Sequence, residues 1–213
     1  MTTPLRPATP LIECSSGQDV AVAGLLLAAG AGRRMGGPKA LIEVGGEPLV
    51  RRGIRLLRDG GCDPVVVVVG AASEQVRALC DGAQVVHATD WETGMGASLR
   101  AGLAALSDTT AGCLVALVDQ PQVGAEVVQR LRAAHAGGAR AAVATYAGMA
   151  RNPVLLDRTI WPGVALAAIG DEGARGWLRA HPELVVQVDC TDVGSPDDLD
   201  TPDDLHALIE GAR

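Results

Sequence analysis

Apolar positions along this chain follow two alternating patterns. Short unbroken apolar runs are separated by stretches in which apolar residues return every three or four positions. The first pattern reads as strands, buried on both faces in a run such as Val65–Val69, and the second as amphipathic helices. Strands are therefore expected at 20–29, 65–69, 84–87, 113–118, 141–145, 154–156 and 184–188. Helices are expected at 48–59, 73–80, 94–106, 125–136, 171–180 and 202–210. The five consecutive valines from Val65 to Val69 are the plainest strand. Pro48 suits a helix start, Gly60-Gly61 a helix end, and Ser73 and Thr201 are expected as caps. Asp203 and Asp204 would favour the positive end of the last helix. Strand–helix alternation with apolar strands implies an α/β fold with a largely parallel sheet, and such sheets bind ligands at the carboxyl ends of their strands. The predicted elements form one domain over 20–213, preceded by a proline-containing segment, 1–19, expected to be a flexible tail.

Composition narrows the function classes. The chain has 213 residues, enough for one well-buried core, and 48% of them are hydrophobic. With no Phe and one Tyr, that core must be built from Val, Leu, Ile and Ala. A formal net charge of -7 argues against a nucleic-acid binder, which usually shows a broad basic surface. No apolar stretch approaches the roughly 18 residues of a membrane span. The five cysteines, Cys14, Cys62, Cys80, Cys113 and Cys190, are scattered and lack C-x-x-C spacing, as expected of reduced thiols in a cytoplasmic protein. His87, His135, His181 and His206 show no metal-ligand spacing, and His135 and His206 read as ordinary residues of exposed helices.

The chemistry concentrates in a glycine-rich loop that follows the first strand, Leu25-Leu-Leu-Ala-Ala-Gly-Ala-Gly-Arg-Arg-Met-Gly-Gly-Pro-Lys39. Glycines allow backbone N–H groups to close around phosphate oxygens, and Arg33, Arg34 and Lys39 supply counter-charge. The dinucleotide fingerprint G-x-G-x-x-G fails, because Gly30 and Gly32 are followed by a third glycine one residue late. The P-loop pattern also fails: Pro38 stands where its lysine belongs, and Ala40 offers no hydroxyl after Lys39.

Two acidic motifs accompany the loop. Asp119, in Leu117-Val-Asp-Gln-Pro121, ends a buried strand and is placed either to hold a hard cation such as Mg2+ or to cap the helix that follows. Asp198 and Asp200, in Pro196-Asp-Asp-Leu-Asp-Thr-Pro-Asp-Asp-Leu205, are two apart and on an extended segment would point the same way, toward a metal shared with Asp119. Asp203 and Asp204 read as a solvated helix start.

The loop resembles the nucleotidyltransferase signature L-A-A-G-x-G-x-R-M-G followed by P-K. With Asp119, the Asp198–Asp200 segment, Asp90-Trp-Glu-Thr-Gly-Met-Gly-Ala-Ser-Leu-Arg100, Arg151-Asn-Pro-Val-Leu-Leu156 and Asp171-Glu-Gly-Ala-Arg175, the chain is similar to the molybdenum cofactor cytidylyltransferases. The resemblance implies a single-domain, Rossmann-like three-layer sandwich. It places Leu27, Ala28, Ala29, Gly30, Gly32, Arg33, Arg34, Lys39, Gly94 and Ser98 around the nucleotide, with Arg34, Lys39 and Asp119 in catalysis. Asp119, Asp198 and Asp200 would hold Mg2+, and Asn152 and Arg175 would meet the acceptor.

The implied reaction is attack of an acceptor phosphate on the α-phosphorus of a nucleoside triphosphate, with pyrophosphate leaving. Such a reaction rests on positioning and charge stabilisation and needs no general base. Guanylyltransferase relatives typically carry Ala-Gly-Gly where this chain has Ala28-Ala29-Gly30, so the Ala29 methyl is expected to favour a smaller base and hence CTP. Other expectations are a molybdopterin acceptor, transient contact with a molybdoenzyme, and no nucleic-acid or membrane partner. A guanylyltransferase, an enzyme activating sugar or other small phosphates, and a non-catalytic cofactor carrier remain the alternatives.

Overall fold

The computed structural model describes residues 21–211, so the tail expected at 1–19 lies outside the described residues. Along the chain run β1 (Val22–Ala28), the two-residue strands β2 (Glu43–Val44) and β3 (Glu47–Pro48), α1 (Leu49–Asp59), β4 (Val65–Val69), α2 (Ser73–Arg77), β5 (Gln84–His87) and α3 (Met95–Ala104). Next come β6 (Gly112–Leu117), α4 (Ala125–Ala136), β7 (Ala141–Tyr146), β8 (Met149–Asp157), α5 (Trp161–Ala167), α6 (Arg175–Ala180), β9 (Val185–Asp189) and α7 (Pro202–Gly211). Seven strands form one sheet in the order β5-β4-β1-β6-β8-β7-β9. All neighbours pair in parallel except β8, which is antiparallel to both β6 and β7.

The unbroken apolar strands are apolar because both faces of the sheet are covered. Val65, Val67 and Val69 pack with Leu26, Ile54, Leu57 and Leu131 on the side of α1 and α4. Val66 and Val68 turn the other way, to Leu25, Leu99, Val164 and Trp177 on the side of α3, α5 and α6. Helix, sheet and helix make three layers, and the period-two alternation of β1 and β4 supplies both interfaces.

The sheet opens where the site forms. β6 stays paired with β1 as far as Leu27↔Leu117, but with β8 only as far as Val115↔Val154. The β7–β8 register then jumps from Val143↔Val154 to Ala144↔Arg151, leaving Asn152 and Pro153 as a bulge. Pro153 has no N–H to give a ladder, so a bulge is its natural place, and bulges re-aim the side chains they contain. Beyond this point the carboxyl end of β6 faces a crevice.

Several expectations need correction. The 171–180 segment is not one helix: Gly173 adopts φ 56, which breaks it into a turn at Gly170–Glu172 and α6. Ser73 does not cap α2. The chain turns one residue earlier, at Ala72 with φ 50, so Ser73 is already helical and makes no cap hydrogen bond, and the helix ends at Arg77. β8 is nine residues long rather than three, because the polar Arg151 and Asn152 and the proline hid its first half. The β2–β3 hairpin and α5 carried no pattern that the periodicity reading caught.

His135 is likewise no ordinary exposed residue. It lies four positions after the buried Leu131, hence on the same helix face, and its Nε2 is 3.0 Å from Asp157 Oδ2. Burial works against the Asp157 charge, but hydrogen bonds from Thr159, His135 and Arg140 outweigh it and hold the carboxyl below its usual range. The four described cysteines are buried free thiols. Burial pushes the Cys62 thiol up to about 12, which keeps it unreactive. Among the described residues no helix is long and apolar enough to cross a membrane.

Candidate active site

The loop after β1 is closed by its own backbone. Met35 and Gly37 both donate N–H to Gly32 O, at 2.9 and 3.2 Å. Gly32 has φ 56, and a Cβ there would fall 2.0 Å from Gly37 O, so the closure tolerates only glycine. Gly30 differs: a Cβ there would meet nothing within 4 Å, and its backbone borders open cavity. That cavity, of about 490 Å³, is lined by Leu27, Ala29, Gly30, Gly32, Arg33, Arg34 and Lys39 on the loop side. Ala28 is not among its walls. Strand alternation turns Ala28 into the core between the sheet and α1.

The end of β6 and the segment before α7 bring carboxylates to Lys39. Lys39 Nζ lies 2.7 Å from Asp119 Oδ2 and 2.6 Å from Asp200 Oδ1. Arg34 Nη2 reaches the other Asp200 oxygen at 3.2 Å. Burial works against the Lys39 charge, but hydrogen bonds and charges from Asp119 and Asp200 outweigh it and raise the ammonium pKa. The same Lys39 hydrogen bond holds the Asp200 carboxyl below its ordinary value. Asp119 does not cap the next helix, since the N-cap of α4 is Gly124 and carries no side-chain bond.

Asp200 is itself held. Its backbone N–H and that of Thr201 donate to Asp204 Oδ2 at 3.0 and 2.7 Å, while the Asp204 N–H donates to Thr201 Oγ1 at 3.3 Å. This reciprocal capping box starts α7, and it corrects the reading of Asp204 as a merely solvated residue. Leu199, between the two acidic positions, is buried, and its N–H donates to Asp119 O at 2.8 Å.

Asp198 takes another direction. Its Oδ1 accepts from Gln120 Nε2 at 2.9 Å, and the residue lines a second cavity of about 620 Å³ with Gln120, Asn152 and Arg175. The residue as a whole is exposed, yet partial loss of solvent at the carboxyl, followed by the charge of Asp119, pushes its pKa up. A small cavity joins the two spaces, sharing Leu27, Met95 and Leu117 with the first and Asn152, Val154 and Arg175 with the second.

The far wall of the first cavity contains Trp91, Glu92, Gly94, Met95, Ser98 and Asp171. Ser98 is buried at the second turn of α3. Gly94 has φ 118, and a Cβ there would lie 2.4 Å from the Gly170 carbonyl carbon. The glycine thus lets the 170–171 turn lie against α3, where Asp171 Oδ1 accepts the Met95 N–H at 3.3 Å.

Among the described residues, no group of three His, Cys, Asp or Glu side chains converges on one point. The pair formed by Asp119 and Asp200 does fit a hard divalent cation. Two carboxylate oxygens already meet one cationic centre, and Mg2+ commonly takes one or two carboxylates and completes its shell with water and substrate phosphate oxygens. Several wall or support residues were assigned no site role from the sequence: Trp91, Glu92, Met95, Asp171, Gln120 and Asp204. Of these, Asp204 carried a legible signal, the spacing Thr201-x-x-Asp204.

The profile of the family described as "MobA-like NTP transferase domain" matches residues 24–185. The chain is 40% identical to a protein of Paenarthrobacter nicotinovorans named "Nicotine blue oxidoreductase", over 88% of this chain and 96% of that protein. It is 38% identical to a protein of Opitutus terrae named "Probable molybdenum cofactor guanylyltransferase", over 58% of this chain and 60% of the other. The solved structure of Rv0371c from Mycobacterium tuberculosis H37Rv superposes with a TM-score of 0.78 at 31% identity, covering 90% of this chain and 98% of the other. A structure of Rv0371c in complex with manganese gives 0.74 at 29% identity, covering 89% and 98%. A phosphate-type glycine loop, a lysine between the carboxylates of Asp119 and Asp200 and the match over residues 24–185 agree: the chain belongs to the MobA-like NTP transferase domain family and is an enzyme of the nucleotidyltransferase class.

Proposed function

We propose that this enzyme transfers the nucleotidyl group of a nucleoside triphosphate, CTP by preference, to the phosphate of molybdopterin, releasing pyrophosphate with Mg2+ as cofactor. The observation that carries the reading is Lys39, held between Asp119 and Asp200 on the floor of a cavity rimmed by the glycine loop. In this reading the loop N–H groups and Arg34 orient the triphosphate, and Lys39 moves from its carboxylates onto the leaving pyrophosphate oxygens. Asp119 and Asp200 would hold the divalent cation, which screens the repulsion between acceptor phosphate and triphosphate when bound. Asn152 and Arg175, across the joining cavity, hold the acceptor. The acceptor phosphate is already ionised, so the dispersed histidines have no proton to take. The choice of CTP rests on the Ala29 methyl in the cavity wall.

One observation favours a second reading: the relative 40% identical over 96% of its length bears an oxidoreductase name. Here the cleft would bind a pyrophosphate-bridged redox dinucleotide, which has the same bridged shape as the product of nucleotidyl transfer. The test is pyrophosphate release from CTP, GTP, ATP and UTP with Mg2+ and molybdopterin, beside oxidation of a reduced nicotinamide dinucleotide. Release with CTP supports the first reading, and a GTP preference overturns the Ala29 argument. Dinucleotide oxidation with no pyrophosphate release from any triphosphate would favour the second.

A further inference from the structure

The acidic segment presents one carboxylate to each of two cavities. Asp200 faces the first, where Lys39 and Arg34 meet it. Asp198, two residues earlier, faces the second and takes part in neither ion pair. The reason is Gln120. Its buried amide donates to Asp198 Oδ1 at 2.9 Å and to Pro196 O at 3.1 Å, so it grips the segment on both sides of Asp197. On the other flank the Leu199 side chain is buried and its N–H is bonded to Asp119 O. Asp198 is pinned from both sides, while among the described residues its second carboxylate oxygen has no hydrogen-bond donor.

Asp198 lines a space large enough for a small-molecule ligand, about 620 Å³, together with Asn152, Arg175 and the apolar Val143, Val154 and Val185. The Arg175 guanidinium supplies an anion-binding group, and Asp198 supplies the complementary acceptor.

We propose that Asp198 is an acceptor-reading residue, not a metal ligand: its carboxylate receives hydrogen bonds from N–H groups of the acceptor, and Gln120 is the residue that positions it. This rests on the nucleotidyl-transfer reading above and divides the labour within it. Asp119 and Asp200 serve the triphosphate side, and Asp198 serves the acceptor side.

The experiment compares Asp198→Asn, Asp200→Asn, Gln120→Leu and the double variant D198N/Q120L. In Asp198→Asn the amide oxygen keeps the Gln120 bond and turns an NH2 group into the cavity, setting donor against donor. The first readout is Mn2+ binding in the presence of CTP, by electron paramagnetic resonance. Asp200→Asn should weaken it about tenfold or more, while Asp198→Asn stays within about twofold of wild type. The second is steady-state kinetics with molybdopterin: Asp198→Asn and Gln120→Leu should each raise its KM about tenfold and leave the KM for CTP unchanged. The double variant should be no worse than the poorer single one. Equal loss of Mn2+ affinity in Asp198→Asn and Asp200→Asn makes Asp198 a metal ligand and overturns the proposal, as does an unchanged KM for molybdopterin. A wild type that turns over no molybdopterin, yet binds Mn2+ and CTP, defeats the acceptor named above, and the Mn2+ readout then still decides whether Asp198 is a ligand.

Discussion

Lys39 holds the point where two carboxylates meet, at 2.7 and 2.6 Å, and on the proposed function a divalent cation would have to compete with its ammonium for them. Replacing Lys39 with Met should therefore act in opposite directions on two measurements. Mn2+ binding without nucleotide should tighten about tenfold, since a like charge is gone, while turnover falls about 10²-fold or more for want of a donor to the leaving group. A Met variant that binds Mn2+ no better than wild type would remove the competition from the account. Asp200 gives a pH test. Its folded-state pKa is lowered from 3.8, chiefly by the Lys39 hydrogen bond, so the stability it contributes is present above 3.8 and is lost as pH falls through the folded value. Asp200→Asn should thus be less stable than wild type at pH 7 by thermal unfolding. The gap should close as the pH is taken below 3.8, and a gap that persists there would show that the pairing is not its source.

At the scale of elements, the site depends on how helices and turns begin. The capping box of α7 ties its first turn to the backbone of Asp200, so one carboxylate, Asp204, serves both the helix and the candidate metal ligand. Asp204→Ala should cost about 1 kcal/mol in urea unfolding and, because Asp200 is loosened, raise the concentration of Mn2+ needed for half-maximal turnover. A change in stability with no change in the Mn2+ requirement would confine Asp204 to the helix. The box was readable as Thr201-x-x-Asp204. The break between the Gly170–Glu172 turn and α6 was not, because it comes from one backbone angle at Gly173 rather than from any loss of helical pattern in the side chains. The first half of β8 was hidden for a related reason: Met149 and Ala150 face outward, the polar Asn152 is buried and the bulge contains a proline, so neither periodicity applies.

For the molecule as a whole, stability rests on two apolar interfaces separated by one sheet. Leu114 is fully buried on the α1 and α4 side, and Leu114→Ala should lower the unfolding free energy by about 2–5 kcal/mol. Leu166 is 84% exposed, and Leu166→Ala should change it by less than about 0.5 kcal/mol. Urea midpoints compare the two, and similar effects would contradict the three-layer burial. What the chain determined by itself was local or periodic. The apolar runs dictated β1, β4 and β6, because a strand covered on both faces has no room for polar residues. The glycine spacing set the loop, because only glycine tolerates the closure at Gly32, and with Lys39 and Asp119 it announced a phosphate site. Tertiary structure decided which distant groups meet. Asp198 and Asp200 are two residues apart on one segment, and alternation alone would send both to one metal. The Gln120 amide, 78 positions away in sequence from Asp198, takes one of them into the second cavity, while Lys39, 161 positions from Asp200, takes the other into the first. Such pairings form only when the sheet brings the ends of β1 and β6 and the segment before α7 to one edge, and no pattern along the chain encodes them.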